Sequence, residues 1–210
     1  MFDGPGQGTA LDAGMPMTPD WHLPVAAVLD YFKLSDITLM GFSLGGALVI
    51  RATAREPRVS RAIAWAIMTD LFESATRGFG AVALDTIAAN SGRIPDAVVN
   101  AAVEEAASTD LLTQWGFSQG KRVTGTATPA DVLRAWHEYT TADLAPLVTK
   151  DILLMAGTKD HYAPLHMLGD QVLTLTAAPS VSARVFTEAE HAQNHCQVGN
   201  QGLERRSGSR

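Results

Sequence analysis

Apolar residues recur at Val25, Val28, Leu29 and Phe32 within Asp20 to Phe32, the i, i+3, i+4, i+7 spacing of a helix that buries one face. The next apolar run, Ile37-Thr38-Leu39-Met40, is short, continuous and closed by Gly41, the pattern of a strand buried in a parallel sheet. Helical spacing returns from Leu44 to Glu56, where Pro57 stops it. Val59 to Ile67, Ile152 to Met155 and Val181 to Phe186 read as further strands. Strands that alternate with helices predict βαβ units and a mostly parallel sheet.

Between Leu71 and Leu147 the strand-like runs vanish. Helical patterns take their place at Val82–Asn90 (stopped by Gly92), Pro95–Ala107, Leu111–Phe117 and Pro129–Tyr139. The last opens with Thr128-Pro129-Ala130-Asp131: a capping hydroxyl, a proline at the first helical position and an acid three residues after the cap. The stretch reads as an all-helical insertion between two sheet strands. The expected division is therefore 1–70 for the first part of the sheet, 71–147 for the helices and 148–210 for the rest of the sheet.

Composition narrows the function classes. The chain has 210 residues, 46% of them hydrophobic and 18% charged, with a net charge of −6. Such a balance suits a folded globular protein and carries no basic excess for nucleic acid. The apolar stretches are broken before the roughly 18 residues a membrane helix needs. The start, Met1-Phe2-Asp3-Gly4-Pro5-Gly6, has neither the basic region nor the apolar core of a signal peptide. A single cysteine forms no internal disulfide and no cysteine zinc cage. The expectation is a soluble, cytoplasmic protein acting on a small molecule.

Gly41-Phe42-Ser43-Leu44-Gly45 is a G-x-S-x-G run with a predicted strand before it and a helix after it, the context of a nucleophile elbow. The tight turn strains the serine backbone, and glycines two residues to either side let strand and helix approach. Ser43 then stands at the C-terminal edge of the sheet, and the Leu44 N–H points at a developing oxyanion. A serine hydroxyl needs a base to take its proton and an acid to orient that base. Asp160 follows the strand Ile152–Met155 at the same sheet edge, and His191 and His195 share the loop after Val181–Phe186. The order serine, acid, histidine fits with either histidine.

Other groups have simpler readings. Asp151 falls at the opposite sheet edge, Asp170 in a helix, His22 and His137 in helices, and His161 and His166 near the acid loop as packing or solvent-facing residues. Cys196 reads as a small hydrophobe. Gly4-Pro5-Gly6-Gln7-Gly8 lacks the lysine and hydroxyl of a phosphate-binding loop.

Four segments carry a family resemblance: Phe2-Asp3-Gly4-Pro5-Gly6-Gln7-Gly8, Gly41 to Gly46, Gly157 to Pro164, and Ala192-Gln193-Asn194-His195-Cys196-Gln197-Val198-Gly199-Asn200. With them the chain resembles the α/β-hydrolase superfamily, in its capped branch related to FrsA-type esterases and dihydroxypseudooxynicotine hydrolase. The resemblance implies an α/β-hydrolase fold with an inserted helical cap. It aligns the general base on His195, leaving His191 a loop residue, with Ser43 as nucleophile, Asp160 as acid and Leu44 as one oxyanion donor. It makes 71–147 the cap over the site. Phe42, beside the nucleophile, and Trp115 and Trp136, in the cap, become the candidate substrate contacts. Phe72, Phe79, Phe117 and Tyr139 are the cap's other aromatics, and more of the six are expected in the cap's own core than in the pocket wall. Asp70 and Glu73 are candidates for an auxiliary acid.

The implied reaction is hydrolysis of an ester or related acyl compound through an acyl-enzyme, without metal or organic cofactor. The alternatives are cleavage of a carbon–carbon bond beside a carbonyl, or a catalytically impaired fragment of such a hydrolase. The fragment reading arises because the family's first three strands and its second oxyanion donor would precede Phe2, and its last helix would follow Asn200, where only a stub and the polar run Leu203–Arg210 stand. A missing neighbour would leave the strand Ile37–Met40 as an exposed apolar edge, and a homodimer through that edge is one consequence.

Overall fold

A computed structural model describes residues 1–78, 92–200 and 202 of the chain. The predicted helix Val82–Asn90, Phe79 and the tail Leu203–Arg210 lie outside the described residues. The chain divides into two compact units, Met1–Pro19 with Phe72–Glu138, and Asp20–Leu71 with Tyr139–Arg210.

The second unit is built on a four-stranded sheet: β1 (Ile37–Phe42), β2 (Val59–Trp65), β3 (Asp151–Gly157) and β4 (Val181–Phe186). The strands lie in the order β1-β2-β3-β4 and every pair is parallel. The alternation of runs predicts this parallel sheet, and its arrangement fits the α/β-hydrolase fold that the resemblance implies. Period-two alternation sorts the side chains of β2 and β3 onto two faces. Ala62, Ala64, Ile152, Leu154 and Ala156 pack on one, against Val49 and Ile50 of α3 (Leu44–Thr53) and Leu168 of α8 (Leu165–Thr174). Ile63, Trp65 and Met155 face the other way and pack with Phe186 and Ala192.

Two expectations change at the sheet edge. β1 is not the buried strand that its continuous run predicts but the exposed apolar edge that the missing-neighbour reading expects: Thr38, Met40 and Phe42 are exposed, with Met40 at 41% and Phe42 at 49%. Continuous hydrophobicity signals an apolar strand but not its place in the sheet, and β1 lies at the edge with β2 on one side. Register pairs Met40 with Ile63 and Phe42 with Trp65, so the exposed apolar side chains continue the face whose neighbours are buried. The strand also runs two residues past Met40, which carries it directly into the turn before α3.

The helix α2 (His22–Phe32) buries Val25 and Leu29 and stops at Lys33, in the left-handed region at φ 55°. Helix α3 is buried from Gly46 to Thr53, and that includes Arg51. A buried guanidinium survives only with its donors engaged; Arg51 Nη1 donates to the Thr140 carbonyl and pairs with Asp143 at 3.0 Å.

The first unit is helical: α1 (Gly8–Asp12), α4 (Leu71–Gly78), α5 (Asp96–Thr109), α6 (Leu111–Thr124) and α7 (Pro129–His137). Asp110 caps α6 by accepting the Thr113 N–H at 2.8 Å. Thr128 and Asp131 form the predicted capping box on α7, with Pro129 in its first turn. Helix α6 runs seven residues beyond the predicted Phe117 and passes through Gly120, a weak helix former that faces α7. A Cβ on Gly120 would stand 2.7 Å from Val132 Cγ1 and 2.9 Å from Trp136 Cζ2. The Met17 N–H donates to the Val123 carbonyl at 2.7 Å, so Met1–Pro19 belongs with these helices, not with the sheet as the sequence divides the chain. The segment Tyr139–Leu147, placed by that division with the helices, belongs with the sheet.

Candidate active site

The turn between β1 and α3 holds Ser43 at φ 57°, ψ −123°, a conformation that costs a non-glycine residue about 1–3 kcal/mol. Two hydrogen bonds hold it there. The Ser43 N–H donates to the Trp65 carbonyl, and the Gly46 N–H donates to the Ser43 carbonyl, each at 2.8 Å. Gly41 permits the turn, since a Cβ there would stand 2.0 Å from the Gly45 carbonyl oxygen and 2.8 Å from Val49 Cγ1. Gly45 does not share that duty: a Cβ there meets nothing within 4 Å among the described residues. The expected need for glycine on both sides is thus one-sided. Leu44 opens α3, so its N–H is one of the first-turn donors that have no acceptor within the helix.

Asp160 follows β3 on a turn that glycine again makes feasible. A Cβ on Gly157 would lie 2.3 Å from the Gln193 carbonyl oxygen and 2.8 Å from that of Asn194, so the acid loop and the histidine loop touch main chain to main chain. The Lys159 N–H donates to the Gln193 carbonyl at 2.8 Å. The Asp160 side chain is fully buried, and its Oδ1 accepts the N–H groups of Tyr162 and Ala163 at 2.9 Å each.

His195 stands between the acid loop and the serine turn. Its Nδ1 is 2.8 Å from both Asp160 oxygens, and its Nε2 is 2.8 Å from Ser43 Oγ. With Nδ1–H donating to the carboxylate, a neutral ring offers Nε2 as acceptor for the Ser43 hydroxyl. Burial works to lower the His195 pKa, but the hydrogen bond His195 donates to Asp160, with Cys196 and the Asp160 charge acting in the same direction, outweighs it and raises the group to about 9.

The structure thus brings Ser43, His195 and Asp160 into one hydrogen-bonded chain beside the Leu44 N–H, all within the sheet unit. His191 is exposed at the end of a 3-10 turn, at φ 55°. Cys196 packs against the Trp65–Phe186 cluster, consistent with a hydrophobic role. Phe42 is half exposed, its ring 4.4 Å from that of Trp65. Trp115 and Trp136 belong to the helical unit. Trp115 is exposed, whereas Trp136 is 6% exposed and packs on Phe117 inside that unit, a core placement. Glu73 pairs with Arg77, Asp70 bridges to Thr140, and Asp151 accepts the Ser180 hydroxyl at the far end of β3.

Three residues here were not singled out by the sequence. Tyr162 sets its ring edge-on to His195 at 5.0 Å. Trp65 and Gln197 join through an indole-to-amide hydrogen bond beneath the serine and the histidine. Gln197 lies in the His-Cys-Gln run, a signal that was available. Among the described residues, no group of three or more His, Cys, Asp or Glu could hold a metal ion, and no helix is long and apolar enough to cross a membrane.

The profile of the alpha/beta hydrolase fold family matches residues 6–192. The alpha/beta hydrolase ucsC of an Acremonium species is 32% identical over 152 residues, which cover 66% of this chain and 30% of the relative. The 20-hydroxy-prefusarin hydrolase FUS2 of Gibberella moniliformis is 34% identical over 148 residues, covering 65% of this chain and 35% of the relative. The chain therefore spans about a third of the length of these curated relatives. Among solved structures, a 2,6-dihydroxy-pseudo-oxynicotine hydrolase superposes with a TM-score of 0.61 at 21% identity, covering 98% of this chain and 49% of that one.

Proposed function

The chain belongs to the alpha/beta hydrolase family, and from that premise we propose that it is a serine hydrolase cleaving an ester or related acyl compound. The observation that carries the proposal is the unbroken chain of 2.8 Å contacts from Ser43 Oγ through His195 to the buried Asp160. Neutral His195 takes the hydroxyl proton at Nε2 as Ser43 Oγ attacks the carbonyl carbon. The carbonyl electron pair moves onto oxygen, where the Leu44 N–H receives it. Collapse of this intermediate breaks the bond to the leaving group, which takes the proton from Nε2, and an acyl-serine remains. Water then attacks the acyl carbon with His195 again as base, and release of the acid returns the proton to Ser43. Asp160 keeps the ring in the tautomer that both halves need.

In the same reading Phe42, exposed beside Ser43, is the apolar side chain offered to substrate.

A fluorophosphonate probe tests the assignment. Labelling at Ser43 that disappears with Ser43→Ala and collapses with His195→Ala is the expected result; labelling insensitive to His195→Ala would overturn it. Turnover of aryl diketones in preference to p-nitrophenyl esters would assign the same residues to carbon–carbon cleavage instead.

A further inference from the structure

We propose that the Trp65–Gln197 hydrogen bond is a strap that sets the separation of nucleophile and base, with Gln197 as a positioning residue. The inference rests on the reading of Ser43 and His195 as the reacting pair. Trp65 ends β2 and acts on both sides of the site. Its main-chain carbonyl accepts the Ser43 N–H at 2.8 Å, and its ring packs 4.4 Å from Phe42, the residue before the nucleophile. Its indole N–H donates to Oε1 of Gln197, two residues beyond His195 in the same 3-10 turn. One residue therefore holds the nucleophile's turn through its main chain and the base's turn through its side chain.

The chemistry of Gln197 argues that the bond is its purpose. The side chain is fully buried, and an indole N–H only donates, so the amide oxygen must face Trp65. That orientation leaves Nε2 without an acceptor among the described residues. A half-satisfied buried amide is a poor core filler, since a leucine or methionine would occupy the space without an unpaired donor. The backbone is costly too, with φ at 46° for Cys196 and 50° for Gln197. What glutamine supplies and an apolar residue cannot is an acceptor for Trp65. The rest of the loop is tied at its other end: the Asn200 amide donates to the Glu190 carbonyl at 2.8 Å, and a Cβ on Gly199 would stand 2.6 Å from the His191 carbonyl oxygen. The strap is the link that registers this loop against the serine turn.

The experiment compares Gln197→Met, Trp65→Phe and the double variant in the full chain, with p-nitrophenyl acetate as substrate and a fluorophosphonate as label. Each single variant should lower kcat and the labelling rate by about tenfold to a hundredfold, the scale of a misplacement near 1 Å, with KM within about twofold. The pH midpoint should stay in place, because Asp160 still faces His195. The double variant should be no slower than the slower single one, since both cut the same bond. Gln197→Glu, which keeps an acceptor oxygen, should recover part of the rate lost in Gln197→Met. Variants that melt at lower temperature yet retain the wild-type kcat would reduce the pair to packing and overturn the strap. If Gln197→Met does not fold, Trp65→Phe decides alone, because it removes the indole N–H and leaves the carbonyl that holds Ser43. A wild-type chain that is not labelled at Ser43 is a separate outcome and overturns the reading on which the strap rests.

Discussion

Both carboxylate oxygens of Asp160 stand 2.8 Å from Nδ1 of His195, and one of them already accepts two main-chain N–H groups. The acid is thus fixed before the histidine arrives, and the imidazolium is the state it favours. Hydrolysis requires the other state, so the rate should rise with pH and its acid limb should centre near the raised His195 value of about 9. Asp160→Asn should move that limb toward the ordinary histidine value and lower kcat by about 10⁴-fold, through loss of the correct tautomer. A pH–rate profile of both forms checks this; an unmoved limb in Asp160→Asn would remove Asp160 from the account.

Stability should run the opposite way. A histidine whose folded pKa is raised from 6.5 to about 9 contributes stability that is fully present below about 6.5 and lost as pH rises through about 9. Urea unfolding midpoints should therefore fall across that window in the wild type, and fall less in His195→Gln. Equal slopes in the two proteins would show that other groups govern the change.

Gly41 and Gly45 flank Ser43 symmetrically in sequence and asymmetrically in space. Gly41→Ala drives a methyl into the Gly45 carbonyl, and it should destabilise the protein by about 3 kcal/mol or more and abolish labelling at Ser43. Gly45→Ala places its methyl in open space on a helix, and it should be neutral or stabilising by about 0.5–1 kcal/mol. Chemical denaturation of the two variants separates them, and similar losses would contradict the described turn.

In the helical unit, Gly120→Ala should overpack the α6–α7 contact and cost about 1–3 kcal/mol. Val132→Ala removes the Cγ1 atom that the new methyl would meet at 2.7 Å. The double variant should then be more stable than the sum of the two single losses predicts, by more than about 0.5 kcal/mol. Additive losses would mean that the two helices do not meet through this pair.

Much of this was legible in the chain itself. Four short runs rich in apolar and β-branched residues, set between helical segments, name the four strands. The Gly41–Gly45 run marks Ser43 as the candidate nucleophile because a strand and a helix flank it. Other features resist reading, for reasons that are three-dimensional. Two histidines four residues apart in one loop are equivalent by spacing, and what separates them is the pair of turns that swings His195 toward Asp160 while exposing His191. The edge position of β1 is a property of neighbours: the apolar run alone makes Met40 look like core, and only the family resemblance points to an exposed edge. Gly45 resembles Gly41 in one dimension and not in three. Trp136 reads equally well as pocket wall or core until Gly120 and Phe117 are seen against it. The Trp65–Gln197 bond joins residues 132 positions apart, and no local pattern announces it.

Ser43 and His195 are separated by 152 positions, and that spacing orders events during synthesis. The strained serine turn can be held once β2 brings the Trp65 carbonyl beside it. Its base follows the last strand and arrives more than a hundred residues later. On the proposed assignment Ser43 gains its base only when the loop after β4 is made, so one hydrogen-bonded chain is assembled from segments that synthesis supplies far apart in time.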